Sequence, residues 1–297
     1  MNANPILINP AKRMVRQKGA LSALLVTGSD KVESGFGNGD CLLLDFSRLI
    51  FAVSDGSERY TQASRILLER LAKVLSEQDM SPDISVLKRS IEAIYGAQKY
   101  THKCTFSLVA FYKNRKEVIA SISSGGDSMV IVADSLDGSI IFKTVPDMNF
   151  AGRSKNVPGI STFTLKDRKF RVIIATDGFA EVLNKMEKQK QGKLPKWLFN
   201  GPACGITGKV YGKLKKNKLD YDDIGMMVID PFDIFGEDKA ILIGGTSPHK
   251  EAFFAASYSD CGSGWIRKNN WRDNEEILEA AGITILTDSQ KVHQIII

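Results

Sequence analysis

Residues 170–183 read FRVIIATDGFAEVL, a continuous apolar run that ends on Asp177 and Gly178 and then changes to helical spacing. This pattern is typical of a buried strand followed directly by a helix. The carboxylate of Asp177 should therefore leave the core at the rim of a sheet. One stretch thus predicts both an element of the fold and a candidate chemical group.

Three further aspartates lie at the ends of apolar runs. They are Asp40 in NGDCLLLD, Asp55 in LIFAVSDGS and Asp222 in LDYDDIGMMVID. Like charges a few ångströms apart cannot all stay ionised unless cations neutralise them. If these strand ends converge, a set of ligands made only of carboxylate oxygens favours Mg or Mn over Zn. A lone Asp-Gly pair marks a turn more often than a metal, so the signal lies in the repetition.

The remaining pattern predicts strands and helices in an α+β arrangement. Short runs bounded by Gly, Asp and Ser predict an antiparallel meander, and two helices follow Asp55 because apolar residues recur there at helical spacing. The segment 146–158 lacks periodicity and is interpreted as a mobile flap. The predicted strands are 21–28, 41–45, 49–54, 105–112, 118–123, 129–133, 171–176 and 226–229, and the predicted helices lie within 66–75, 84–95 and 179–185.

A boundary near Pro231–Asp238 divides the chain into a main domain, 1–235, and a small extension, 236–297. The extension has strand signals at 240–243 and 283–286. A helix is predicted at 275–281, with Asn274 as its N-cap and Gly282 as its stop. About 60 residues are marginal as an independent domain, so we expect this α/β extension to pack on the main one.

Positive charge is concentrated in one segment of the 297-residue chain. Lys185–Lys218 contains ten lysines against the single acid Glu187, and so carries +9, whereas the whole chain carries +6 and the rest therefore −3. This distribution argues against general nucleic-acid binding, which a strong salt dependence would reveal. The segment is either a solvated loop or a docking surface for an acidic or phosphorylated partner.

Cysteine use and hydropathy suggest a cytoplasmic protein. The four cysteines, Cys41, Cys104, Cys204 and Cys261, form no Cys-x-x-Cys pair, and two lie in strand-like runs, as expected for buried free thiols in a reducing compartment. No signal peptide or membrane span is visible in the sequence.

Read in order, five motifs resemble those of the metal-dependent serine/threonine protein phosphatases of the PPM (PP2C-like) family. They are NGDCLLLD, FAVSDG, SGGDSMVIV, VIIATDGFAEVL and DDIGMMVI, and the resemblance covers roughly residues 20–232. It implies an α-β-β-α sandwich of two antiparallel sheets flanked by helix pairs, with two Mn or Mg ions at one end. It also implies that 1–235 is the phosphatase domain.

The resemblance assigns roles to particular residues. Asp55 would bridge both metals, the carbonyl of Gly56 would approach one, and Asp177 and Asp222 would hold one ion from the opposite side. Asp127 in the Gly-Asp-Ser turn and Glu181 could hold a weaker third ion together with Asp177, although Asp127 is also a typical turn-forming residue. For Asp223, a hydrogen bond to the backbone is favoured over ligation.

The chain also departs from the family pattern. Gly39 replaces the usual Glu before Asp40, and Gly35 stands where a phosphate-binding Arg is expected. Arg59 is a candidate replacement because a guanidinium fork suits phosphate oxygens, although it could equally be an ordinary exposed residue. Asp40 and Arg59 are therefore the predicted catalytic groups.

Two principal hypotheses follow. The first is hydrolysis of phosphoserine and phosphothreonine in proteins by a metal-bridging water, with the phosphoprotein docking at the lysine segment. The second is a pseudophosphatase that keeps the fold as a phosphoprotein-binding or regulatory module. Retention of Asp55, Asp177 and Asp222 favours the enzyme, whereas the two glycine replacements favour the module.

Overall fold

The computed structural model describes most of the chain between residues 6 and 294. The described ranges are 6–8, 14–26, 28, 38–45, 48–57, 62–77, 83–98, 102–154, 156–166, 170–186, 192–217, 220–235, 238–246, 251–259, 283–286 and 292–294. No helix within these ranges is long and apolar enough to cross a membrane. Cys41 and Cys104 are buried free thiols, as the sequence predicts, and Cys261 lies outside the described residues.

Strands and helices are numbered here in chain order. The strands are β1 (Ile6–Ile8), β2 (Met14–Gly19), β3 (Leu21–Val26), β4 (Asp40–Asp45), β5 (Ile50–Asp55), β6 (Phe106–Asn114), β7 (Glu117–Gly125), β8 (Met129–Asp134), β9 (Ile140–Lys143), β10 (Ile160–Leu165), β11 (Phe170–Ala175), β12 (Ile224–Ile229), β13 (Asp238–Thr246), β14 (Glu251–Ser259), β15 (Ile283–Leu286) and β16 (Val292–Gln294). The helices are α1 (Gln62–Ser76), α2 (Ile84–Gln98), α3 (Asp177–Met186), α4 (Lys196–Phe199) and α5 (Ile206–Asn217).

The described strands form three antiparallel sheets. The larger sheet has the order β10-β7-β6-β5-β4-β1-β15-β16, and the smaller has the order β3-β12-β11-β8-β9. The turn at residues 125–128 leads from β7 in the larger sheet to β8 in the smaller one, so it crosses between sheets rather than closing a hairpin. In the larger sheet Asp40 lies directly opposite Asp55.

Side-chain alternation along the strands decides how the layers pack. Phe51 and Val53 point to the core between the two sheets, whereas Ile50 and Ala52 point to the core beneath α1 and α2. In the smaller sheet, Ile173 faces the core beneath α3 and α5. Successive residues of a strand face opposite sides, which produces this two-sided burial. The predicted α-β-β-α sandwich is confirmed.

The C-terminal strands pair with N-terminal ones. The third sheet has the order β14-β13-β2, and β15 pairs with β1 in the larger sheet. The strands predicted at 240–243 and 283–286 are present as β13 and β15. The helix predicted at 275–281 lies outside the described residues, and the division between 1–235 and 236–297 stays a prediction.

Sequence patterns missed eight of the described elements: β1, β2, β9, β10, β14, β16, α4 and α5. In α5 the buried residues Ile206, Val210 and Leu214 recur every four positions, but weak helix formers such as Gly208 and Gly212 obscure the helix signal. The segment interpreted as a flap is tied down at two points. Asp147 exchanges hydrogen bonds with Gly126, and Cys104 N donates to Ala151 O at 3.1 Å.

The buried side chain of Arg171, at the start of β11, connects the smaller sheet to the segment 198–201. Arg171 donates to the Asp230 carboxylate at 2.8 Å and to the backbone oxygens of Leu198, Phe199 and Gly201. Its side chain is 3% exposed. Burial raises the pKa of Asp230, and the Arg171 guanidinium opposes that rise.

We expect Arg171→Met to lower the free energy of unfolding by about 3–5 kcal/mol, because the largely buried carboxylate of Asp230 would lose its cation. Urea denaturation followed by circular dichroism measures this change. The control is Arg65→Met, which removes the partly exposed 2.7 Å ion pair with Glu69 and should cost less than about 1 kcal/mol. Equal stabilities for the two variants would contradict the assigned role of Arg171.

Candidate metal centre

Three carboxylates from three different elements meet at one rim of the sandwich. Asp55 ends β5, Asp127 lies in the turn between β7 and β8, and Asp177 begins α3. One oxygen from each lies within 4.8 Å of the others, and all three side chains are partly buried. The structure thus brings together three of the predicted ligands, which are far apart in sequence.

Asp40 adds a fourth carboxylate beneath this group. It is 1% exposed, and its Oδ2 accepts a hydrogen bond from Thr176 Oγ1 at 2.7 Å. Burial raises the pKa of Asp40 well above its usual range, and repulsion from Asp55 and Asp223 raises it further. A cation at the rim would relieve this repulsion and favour the ionised form.

The residues present fit a hard divalent cation. Asp40 Oδ1 and Asp127 Oδ1 are both buried without a hydrogen-bond partner among the described residues. Buried carboxylate oxygens are seldom left unpaired, because the lost hydration must be replaced. A set of donors made only of oxygen suits Mg or Mn, whereas the sulfur and imidazole ligands typical of Zn are not in the group.

Asp222 and Asp223 approach the rim along the chain that enters β12. Asp222 is partly exposed, and its Oδ1 accepts from its neighbour's N–H at 2.7 Å. The start of α3 packs closely here, because a Cβ at Gly178 would collide with the carbonyl oxygen of Asp223. Asp222 is nevertheless not one of the three carboxylates within 4.8 Å.

Asp223 is a buried framework residue. Its two oxygens accept hydrogen bonds from the backbone N–H groups of Gly28 and Gly39, each at 2.7 Å. Neither oxygen is among those grouped at the rim. The structure therefore agrees with the expectation that Asp223 bonds to the backbone rather than to a metal.

Gly39 and Gly56 pack against each other beside Asp55. Gly56 N donates to Gly39 O at 2.9 Å, and an ideal Cβ at Gly39 would stand only 2.7 Å from Gly56 O. A glutamate at position 39, which the family pattern expects, would force this backbone apart. The glycine at position 39, where the family pattern has Glu, is therefore consistent with the close backbone packing around it.

Of the other predicted site residues, Glu181 is described and Arg59 is not. Glu181 is about half exposed and forms a 2.8 Å ion pair with Lys185, outside the group of three carboxylates. Arg59 and Gly35 are outside the described residues. The structure consequently places Glu181 in a surface pair and leaves the role of Arg59 a prediction.

Hydroxyl groups that support the rim were missed by sequence reasoning. Thr105 Oγ1 accepts from Asp55 N at 2.8 Å and also bonds to the Ser128 hydroxyl beside Asp127. Thr176 joins Asp40 to the backbone of Gly225. The one available signal was a hydroxyl residue at each strand end, which is too common in proteins to identify a site.

Sequence comparison provides no assignment. No protein-family model matches the chain, and no curated protein is detectably similar to it in sequence.

Solved structures do share the fold. A mutant bacterial serine phosphatase superposes with a TM-score of 0.53 at 15% identity, over 72% of this chain and 99% of its own. The Mycobacterium tuberculosis serine/threonine phosphatase PstP/Ppp gives 0.50 at 12%, over 76% and 98%. RsbX in complex with magnesium gives 0.50 at 17%, over 72% and 98%. The described part of this chain therefore has the fold of the PP2C-type serine/threonine phosphatases, as its five motifs predicted.

Proposed function

We propose that this chain is a divergent PPM-family enzyme that hydrolyses phosphoserine and phosphothreonine in proteins with the help of Mn or Mg. The observation that carries the proposal is the convergence of Asp55, Asp127 and Asp177 within 4.8 Å at one rim of the sandwich. A scaffold gains no stability from gathering three carboxylates within 4.8 Å, because their mutual repulsion destabilises the folded state. Bound cations would offset this repulsion.

Asp55, Asp127, Asp177 and Asp222 are the proposed metal ligands, together with the carbonyl of Gly56. Two bound ions would supply the Lewis acidity that makes a water more acidic and steadies the charge developing on the phosphoryl group. Among the described residues, Asp127 Oδ1 is buried without a hydrogen-bond partner, which supports the place of Asp127 in this donor set. A third ion beside Asp127 and Asp177 is part of the proposal.

The chain itself would hold these ligands in position. The backbone of Asp55 is held by Thr105, and the turn that carries Asp127 is held by Asp147, whose Oδ1 accepts from Gly126 N at 2.8 Å. Thr176 donates to Asp40 and so keeps one of its oxygens from turning away. Such fixed positioning limits reorganisation when the substrate reacts.

We expect Mn titration by calorimetry to reveal at least two sites in the unmodified protein. Asp177→Asn should lose one of them, since an amide brings no charge to offset the cation. Asp137→Asn is the control, because Asp137 is bound to Lys193 and Ser139 on a distant turn. No Mn binding by the unmodified protein would contradict the metal centre.

Hydrolysis of a chromogenic phosphate ester and of phosphopeptides should depend on Mn or Mg and stop when a chelator is added. Asp55→Asn should lower kcat by on the order of a thousandfold, because the proposed bridging ligand is lost. The same assay on Asp137→Asn should match the parent. A protein that binds Mn but hydrolyses neither substrate would instead support the phosphoprotein-binding module.

We further propose that the phosphoprotein docks at part of Lys185–Lys218. Several of these lysines contact other side chains of this chain: Lys185 pairs with Glu181, Lys193 pairs with Asp137, and Lys213 Nζ lies 5.0 Å from the Trp197 ring centroid. Lys196 and Lys216 are exposed. Lys216 lies in the last turn of α5, on the path towards Asp222, whereas Lys196 begins α4 near Arg171 at the opposite end of β11.

Lys216→Glu should raise KM for a phosphoprotein and increase its sensitivity to salt, because the attraction to an acidic substrate surface is reversed. Hydrolysis of the small ester should hardly change. Steady-state kinetics on both substrates, with Lys196→Glu as the matched charge reversal at the far end, checks this. Equal effects of the two reversals would show that general charge, rather than local docking, is responsible.

A further inference from the structure

Lys103 lies on a short extended segment that runs beside the metal rim. Its neighbour Cys104 forms isolated bridges with Gly56 on one side and Ala151 on the other. Thr105, the next residue, donates its N–H to Asp55 O at 2.8 Å. Lys103 is therefore two residues from Thr105, which fixes the backbone of Asp55, a proposed metal ligand.

The side chain of Lys103 lies on the rim side of this segment. Cys104 is buried and its Sγ contacts Ala63 O in α1, whereas the Thr105 hydroxyl bonds to Ser128 on the other face. Alternation along extended backbone puts the Lys103 and Thr105 side chains on the same face. Ser128 lies on that face and is the residue directly after Asp127, so the Lys103 side chain is on the side of the segment that faces the Asp127 turn.

An aromatic ring holds the ammonium in place. Lys103 Nζ lies 4.7 Å from the centroid of the Phe150 ring. Two carbons of this ring lie 3.1 Å from the position that a Cβ at residue 126 would take, directly before Asp127. The Lys103 ammonium thus stands beside the turn that contributes Asp127 to the rim, and the cation–π contact restrains it there.

Lys103 forms no ion pair with the described part of the chain, although acidic residues crowd the neighbouring rim. Asp55, Asp127 and Asp177 converge there, and Asp40 lies beneath them. A phosphoryl dianion that approaches such a rim meets negative charge and needs fixed positive charge for binding. An ammonium on a flexible stem can bind phosphate as a point charge.

We propose that Lys103 binds the phosphoryl oxygens of the substrate phosphoserine or phosphothreonine, and so provides the cation that Gly35 does not. This inference rests on the proposed function. The ammonium would donate hydrogen bonds to non-reacting phosphoryl oxygens, while the Phe150 ring keeps the stem directed to the rim. Lys103 is thus a substrate-binding residue, distinct from the carboxylates that hold the ions.

Lys103→Met tests the charge while keeping most of the side-chain packing on Phe150. We expect KM for a phosphopeptide to rise about tenfold, with a smaller change in kcat, as for the loss of one charged hydrogen bond. Lys103→Arg should restore KM to within about threefold, because it returns a cation to the site. Lys113→Met is the matched control, since Lys113 Nζ also lies over an aromatic ring, 5.7 Å from the Phe235 centroid at the far end of β6.

A binding measurement separates this inference from the proposed function. Calorimetric titration of inorganic phosphate into the Mn-loaded protein should give about tenfold weaker binding for Lys103→Met and no change for Lys113→Met. If the parent binds phosphate but hydrolyses nothing, the enzyme proposal fails, and weaker phosphate binding by Lys103→Met would still support the assignment. Equal phosphate affinities for parent and Lys103→Met, with equal Mn stoichiometry, would overturn it, as would a Mn-loaded parent that binds no phosphate.

Discussion

Repulsion among the carboxylates at one rim is the constraint on which the rest of this structure depends. Asp40 is buried directly opposite Asp55 and also feels the charges of Asp223 and Asp177, so the pKa of Asp40 is raised first by burial and then by these neighbours. The fold would lower its free energy by spreading these groups apart. Instead, hydrogen bonds from the surrounding residues keep these carboxylates together. This is physically reasonable when divalent cations complete the charge balance.

The framework around the rim is made of hydroxyls, glycines and one buried aspartate. Asp223 holds the backbone at Gly28 and Gly39, while Thr176, between β11 and Asp177, bonds both to Asp40 in β4 and to the backbone of Gly225 in β12. These contacts connect both sheets, because β4 belongs to the larger and β12 to the smaller. The position of each carboxylate is thereby tied to the packing of the sandwich, and small shifts between the sheets would alter the site.

This chain shares a fold with the solved phosphatases but little of their sequence. Identities of 12–17% to structures that superpose over most of their own length show that the same architecture is compatible with a largely different sequence. At Gly39 the replacement agrees with the local backbone, since Gly56 O occupies the space that a side chain would need.

The amino-acid pattern alone determined the α+β layers and named Asp55, Asp127 and Asp177, because strand-end aspartates flanked by glycine leave a local signature at each position. It did not reveal α5, whose buried residues are diluted by lysine and glycine, nor the crossing of residues 125–128 from one sheet to the other. Only the tertiary structure decided that Asp55, Asp127 and Asp177 meet without Glu181, and that Thr105, Thr176 and Lys103 adjoin the rim. The physical reason is that such contacts join residues tens of positions apart, and their geometry depends on how two sheets pack, which no local pattern encodes.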